Sequence, residues 1–142
     1  MPDLPMQYQT SYEWQGQASE GNIKVESRHA FPVGTPHDTD RFCPEHLLVA
    51  TAETCLANYV LLIAKLSRLN IISYESTAEG ELEQTEDRKF RFKRIVIRPI
   101  ITVDDTDDSL ANKVVEKSHD ACLIARSMNF PVDIEMTIIV EE

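Results

Sequence analysis

The stretch from Cys43 to Leu69, CPEHLLVATAETCLANYVLLIAKLSRL, constrains the fold of this chain more than any other. It is the longest apolar-rich run, and it carries two of the three cysteines. Pro44 suits a first helical turn, where an N–H has no intrahelical use. Neither Pro nor Gly interrupts the residues that follow, which leaves room for about 25 helical residues, or about 37 Å at about 1.5 Å each. Turning about 100° per residue from Cys55, Leu48, Thr51, Ala52, Tyr59, Leu62 and Leu66 fall within about 60° of it. Cys55 is therefore expected mid-helix on an apolar face. Only His46, Glu53 and Val60 lie opposite, so little of the helix is expected to face water.

At 142 residues the chain is read as a single domain, 1–142, long enough for a real core. An apolar fraction of 42% with only four glycines marks a globular chain. A formal charge of -10 disfavours nucleic-acid phosphates and anionic membranes as partners. The dense basic run from Arg88 to Arg98 reads as the polar residues of a strand. Three cysteines without a cationic and apolar leader fit a reducing, cytoplasmic setting better than a disulfide-stapled secreted one. The apolar stretch 56–64, with Asn58 inside it, is too short to span a bilayer.

Before the central run, Tyr8, Thr10, Tyr12 and Trp14 occupy alternate positions, as does the set Ile23, Val25, Ser27 and His29. With turn chemistry at Ser19-Glu20-Gly21-Asn22, a β-hairpin follows. Pro32 to Asp40 reads as a loop leading to the helix, and Asn70 as the residue that caps the helix C-terminus. Ile71 to Glu83 and Lys89 to Val103 read as two strands, with a bulge or edge position at Pro99. Asp104 to Ser109 offers acidic N-cap residues to a helix over roughly Leu110 to Met128, whose stripe is Ala111, Val115, Ser118 and Cys122. Pro131 stops it, and Val132 to Val140 alternates as a final half-buried strand. The order β-β-α-β-β-α-β describes an α+β domain with mainly antiparallel sheet around a long central helix.

Cys55 and Cys122 each lie on the apolar stripe of a separate helix, and packing of those helices would bring the sulfurs within disulfide reach. Plain packing as small hydrophobes is the competing reading. A zinc site from Cys43-x2-His46 and His119-x2-Cys122 has suggestive spacing, but the pairs lie in unlike helical contexts and His46 points away from the Cys55 face. No G-x-S-x-G, G-x-G-x-x-G or Walker A pattern occurs, so neither a serine triad nor a nucleotide cofactor has motif support.

The segment CPEHLLVATAETC, followed far downstream by ACLIARS, resembles the OsmC/Ohr family of thiol-dependent hydroperoxide peroxidases. The family pattern is a Pro-Glu at the start of the central helix, a reactive Cys ten residues after that Glu, and a second Cys in the last helix. Here these are Pro44-Glu45, Cys55 and Cys122. The element order matches the family from end to end. The Ohr branch carries an Arg in the first hairpin turn that holds the reactive thiolate; residues Gly16 to Asn22 contain none. This favours an OsmC-like branch and leaves Arg28, Arg41 and Arg126 as alternative cations, none at the motif position. Cys43 stands where the family has a small polar residue and reads as an N-cap substitute.

The resemblance implies a cycle without cofactor or metal. Cys55 attacks a peroxide, Cys122 closes a disulfide with it, and an external dithiol of lipoyl or thioredoxin type restores both thiols. The apolar wall of Leu48, Tyr59 and Leu62 suits an organic hydroperoxide. Glu45 would orient the activating cation. Glu45 and Cys55 are separated by about 15 Å along one helix, so two antiparallel copies are needed to bring them together. An intertwined homodimer with composite sites follows, which the family also implies. The competing reading is a non-enzymatic protein of the same fold that senses redox state or binds an apolar ligand.

Overall fold

The computed structural model describes residues 4–104 and 108–141. Residues 105–107, part of the expected N-cap loop, lie outside the described residues. The chain forms two compact units, one up to Leu48 and one from Val49 onward.

The first unit is a three-stranded antiparallel sheet in the order β1 (Thr10–Trp14), β2 (Gly21–Val25), β3 (Phe31–Val33). The hairpin β1–β2 pairs Tyr12 with Ile23 and Trp14 with Gly21. Gly21 leaves room for the Tyr12 ring, which would have to move aside for a Cβ there. The strand expected to run from Ile23 to Phe31 instead ends at Val25. Glu26 takes a left-handed φ of 50°, the Arg28 N–H donates to the Val25 carbonyl at 2.9 Å, and the chain doubles back. A third strand therefore occupies the first residues of the expected loop. Arg41 ties the unit together, with Nη1 donating to the Gly21 and Val33 carbonyls (3.0 and 3.4 Å) and Nη2 to Gln15 Oε1 at 2.7 Å.

Helix α1 runs unbroken over Pro44–Leu66, 23 residues. Its length and mean hydropathy of 1.8 would by themselves allow it to cross a bilayer, more than the 56–64 stretch suggested. Its buried stripe, however, packs on strands of a protein core. That stripe is Ala52, Leu56, Val60 and Ala64, at i, i+4 spacing. The helix ends on Arg68 in a left-handed φ of 60°, with the Leu69 N–H donating back to the Ala64 carbonyl at 2.8 Å. Asn70, the expected cap, instead donates to Asp104 Oδ2 at 3.2 Å.

In the second unit, β4 (Ile71–Gln84) and β5 (Phe90–Asp104) form a long antiparallel hairpin. Helices α2 (Asp108–Ala121) and α3 (Leu123–Arg126) follow, then β6 (Val132–Ile134) and β7 (Thr137–Glu141). The last strand was expected to be continuous; it is two pieces, both parallel to β5. The sheet is therefore mixed. Pro99 falls where β6 has ended, opposite Ile97, and β7 has not begun, opposite Ile100. A residue with no N–H is tolerated beside that gap. The bulges in the hairpin lie elsewhere, at Ile71/Ser73 and Glu81/Leu82. The core joins the α1 stripe to Ile95, Ile97, Ile101 and Val103 of β5 and to Ala111, Val114 and Val115 of α2. Each fully buried Val, Leu or Ile among them contributes about 1.5–3 kcal/mol.

Candidate functional site: a buried pair of thiols

Cys55 enters from the middle of α1, but not from its buried stripe. Val60, placed opposite Cys55 by the periodicity, has no exposed surface, whereas Leu66, in the Cys55 sector, is 65% exposed. The core-facing direction is thus rotated by about 110° from the expected one. Cys55 is half-buried at the stripe's margin, and Thr54, Asn58 and Leu61 are exposed on the far side. The wheel identified which residues share a direction; the position of the sheet decides which direction is inside.

Cys122 enters from a break in the last helix. The stripe Ala111, Val115, Ser118 and Cys122 is buried throughout, as the spacing required. The expected continuous helix is nevertheless interrupted at Cys122, whose ψ of 109° leaves the helical region and starts α3. The Cys122 N–H still donates to the His119 carbonyl at 3.3 Å, and its carbonyl accepts from the Arg126 N–H at 3.0 Å. The result is an elbow with the thiol at its inner corner, 1% exposed.

The two thiols come together: Cys55 is among the groups that act on the Cys122 thiol, and both are free. Burial pushes the Cys122 thiol up to about 11, and the neighbouring Cys55 side chain and its charge act in the same direction. The amides of Ala125 and Ile124, at the start of α3, oppose this. Cys122 is therefore held protonated at neutral pH, as a donor facing Cys55.

The third cysteine has different work. Cys43 Sγ accepts the His46 N–H at 3.4 Å and lies 3.2 Å from His46 Nδ1, which is the N-cap role expected of it. His119 Nδ1 is buried without a hydrogen-bond partner. Among the described residues no three His, Cys, Asp or Glu side chains group as metal ligands.

Glu45 is exposed in the first turn of α1. Of the three candidate cations, Arg28 pairs with Glu26 at 3.4 Å and Arg41 is spent on the sheet ties and on Glu20 at 3.4 Å. Arg126, in the last turn of α3, is exposed. No arginine among the described residues is hydrogen-bonded to either sulfur of the pair.

One polar cluster escaped the sequence reading. Glu53, assigned to the watery side of α1, accepts the Ser76 hydroxyl at 2.5 Å. Beside it the Tyr74 hydroxyl is buried without a partner, and burial, then the Glu53 charge, push it up to about 12. The available signal was the polar pair Tyr74 and Ser76 on the apolar-parity face of β4.

Residues 36–137 match the family model of OsmC-like proteins, and the chain belongs to that family. A Bacillus subtilis relative, the uncharacterized protein YmaD, is 25% identical over 97 residues, covering 66% of this chain and 64% of its own length. Among solved structures, an OsmC-like protein of unknown function from Vibrio cholerae superposes with a TM-score of 0.85 at 20% identity, covering 93% of this chain and 99% of that one. An organic hydroperoxide resistance protein from Legionella pneumophila gives 0.74 at 15% identity over 96% of this chain and 99% of its own. The organic hydroperoxide resistance protein OhrB of Bacillus subtilis gives 0.64 at 20% over 94% and 98%. At these identities the structural likenesses establish the fold.

Proposed function

We propose that this chain is a cysteine-based peroxidase that reduces organic hydroperoxides in a reducing, cytoplasmic setting. The observation that carries the reading is the contact between Cys55 and Cys122, brought together from helices far apart in sequence. Cys55, as thiolate, attacks the distal peroxide oxygen; the O–O bond breaks, an alcohol leaves after taking a proton, and Cys55 becomes a sulfenic acid. The Cys122 thiol then attacks that sulfur, an S–S bond forms and water departs. An external dithiol reduces the disulfide and is itself oxidised to one. The roles follow from access: Cys55 is the more open, which suits the thiol that meets the peroxide, while Cys122 is buried behind it, which suits the resolving thiol.

Glu45 enters as the residue that orients a cation in a composite site of two copies. The unbroken helix supports this, because it keeps Glu45 and Cys55 of one chain about 15 Å apart. The exposed Leu61 and Leu66 on α1 are apolar surface that such a homodimer would cover.

Thiol counting after one equivalent of cumene hydroperoxide tests the reading. Two thiols disappear rapidly in the native chain, and Cys55→Ser abolishes the reaction. Slow loss that is independent of Cys55 overturns the enzyme and leaves a redox sensor. A monomer at micromolar concentration with full activity overturns the composite site.

A further inference from the structure

The elbow at Cys122 also builds a second site. The last turns of α2 and the short helix α3 line an open cleft of about 480 Å3 together with Phe130 and Pro131. On α2 the lining residues are Glu116, His119 and Asp120, whose i, i+3, i+4 spacing puts them within a sector of about 100° on one helix face. On α3 the lining residues are Ala125 and Arg126. His119 lines the cleft with its ring, while its Nδ1 is turned away from solvent. Glu116, Asp120 and Arg126 line the same cleft, yet none is ion-paired among the described residues.

The charges are separated by wall, with carboxylates and a ring nitrogen on α2 and a guanidinium on α3. An anion alone meets two carboxylates, and a cation alone meets Arg126. A ligand carrying both charges, with an apolar group for Phe130 and Pro131, satisfies every feature. We infer that this cleft binds a free α-amino acid with an apolar side chain, its ammonium on the Glu116, His119 and Asp120 face and its carboxylate on Arg126. Because α2 and α3 are joined at Cys122, such a ligand clamps the elbow. On the peroxidase reading above, it slows closure of the Cys55–Cys122 disulfide.

Calorimetric titration of the reduced full chain tests binding without reference to activity. L-leucine is expected to bind saturably. N-acetyl-L-leucine, lacking the ammonium, and L-leucinamide, lacking the carboxylate, each lose about tenfold or more in affinity. Arg126→Ala, at an exposed side chain that leaves the core intact, gives the same loss for L-leucine. No saturable binding of L-leucine, equal binding of N-acetyl-L-leucine, or an Arg126→Ala chain that binds as well as the native one each overturns the site. The clamp is read separately, from the rate of thiol loss with cumene hydroperoxide at saturating L-leucine. Slowing of severalfold supports it, and an unchanged rate overturns it. If no disulfide forms under any condition, the peroxidase reading falls while calorimetry still decides the site.

Discussion

The two compact units solve the burial problem in different ways. The second closes a sheet, a long helix and α2 around aliphatic side chains with essentially no exposed surface. The first has three buried residues among those described, Gly21, Val33 and Cys43, and every residue of β1 is exposed. Its ties are polar and backbone, centred on Arg41 and on the cap at Cys43. A three-stranded sheet with so little core has marginal stability of its own. The contrast also separates the cysteines. Cys43 caps the start of α1 in the poorly packed unit, whereas Cys55 and Cys122 face one another within the well-packed one.

If packing density governs the second unit, the largest effect on stability comes from Gly80→Ala. A Cβ at Gly80 would lie 2.6 Å from Val49 Cγ2 and 2.7 Å from Phe92 Cε1, so both side chains would have to shift. A loss of about 3 kcal/mol is expected by urea denaturation. Gly16→Ala, in the first unit at φ +88° with open space around it, is expected to lose only about 1 kcal/mol, from backbone strain alone. Equal losses at the two sites would remove the comparison.

Next in size is an alkaline effect confined to the second unit. The Cys122 thiol is raised in the folded chain to about 11 from an ordinary 9.0. A raised folded value means that this contribution is complete below pH 9. It is lost as pH rises through 11, because the unfolded chain releases its proton first. A fall of roughly 2 kcal/mol across that window is expected, and Cys122→Ala should flatten it. An identical slope in Cys122→Ala would show that burial of this thiol does not govern it.

Cys43→Ala probes the first unit and should lower stability by about 1 kcal/mol through the lost cap, whereas Cys43→Ser, which restores an acceptor, should recover most of it. If both variants match the native chain, the sulfur is not capping α1. The smallest effect is expected at Tyr74→Phe. The buried hydroxyl it removes has no partner, so stability at pH 7 should change by less than about 1 kcal/mol, in either direction. The tyrosine's own alkaline loss, between its ordinary 10.0 and about 12, should vanish in the same variant. A large loss at neutral pH would mean that this hydroxyl has a partner after all.

Much of the fold was legible from local pattern. The unbroken α1, the β4–β5 hairpin, the buried stripe of α2 and the capping role of Cys43 each follow from residues within one or two turns. What escaped was non-local. The left-handed Glu26 that turns β2 into β3 carries no special residue type, so alternation read through it. The break at Cys122 has no Pro or Gly to announce it. Glu53 was assigned to water because nothing near it in sequence shows that Ser76 would supply a hydroxyl.

By itself the sequence determined which residues travel together: the α1 apolar sectors, the α2 stripe ending in Cys122, and a Pro-Glu…Cys…Cys spacing that resembled one family. Periodicity is a property of a single element, and it survives any arrangement of the others. Only the tertiary structure decided which side of α1 is inside, where the last helix bends, and that Cys55 and Cys122 meet. Those outcomes depend on surfaces distant in sequence competing for the same buried space, and no local pattern encodes the winner.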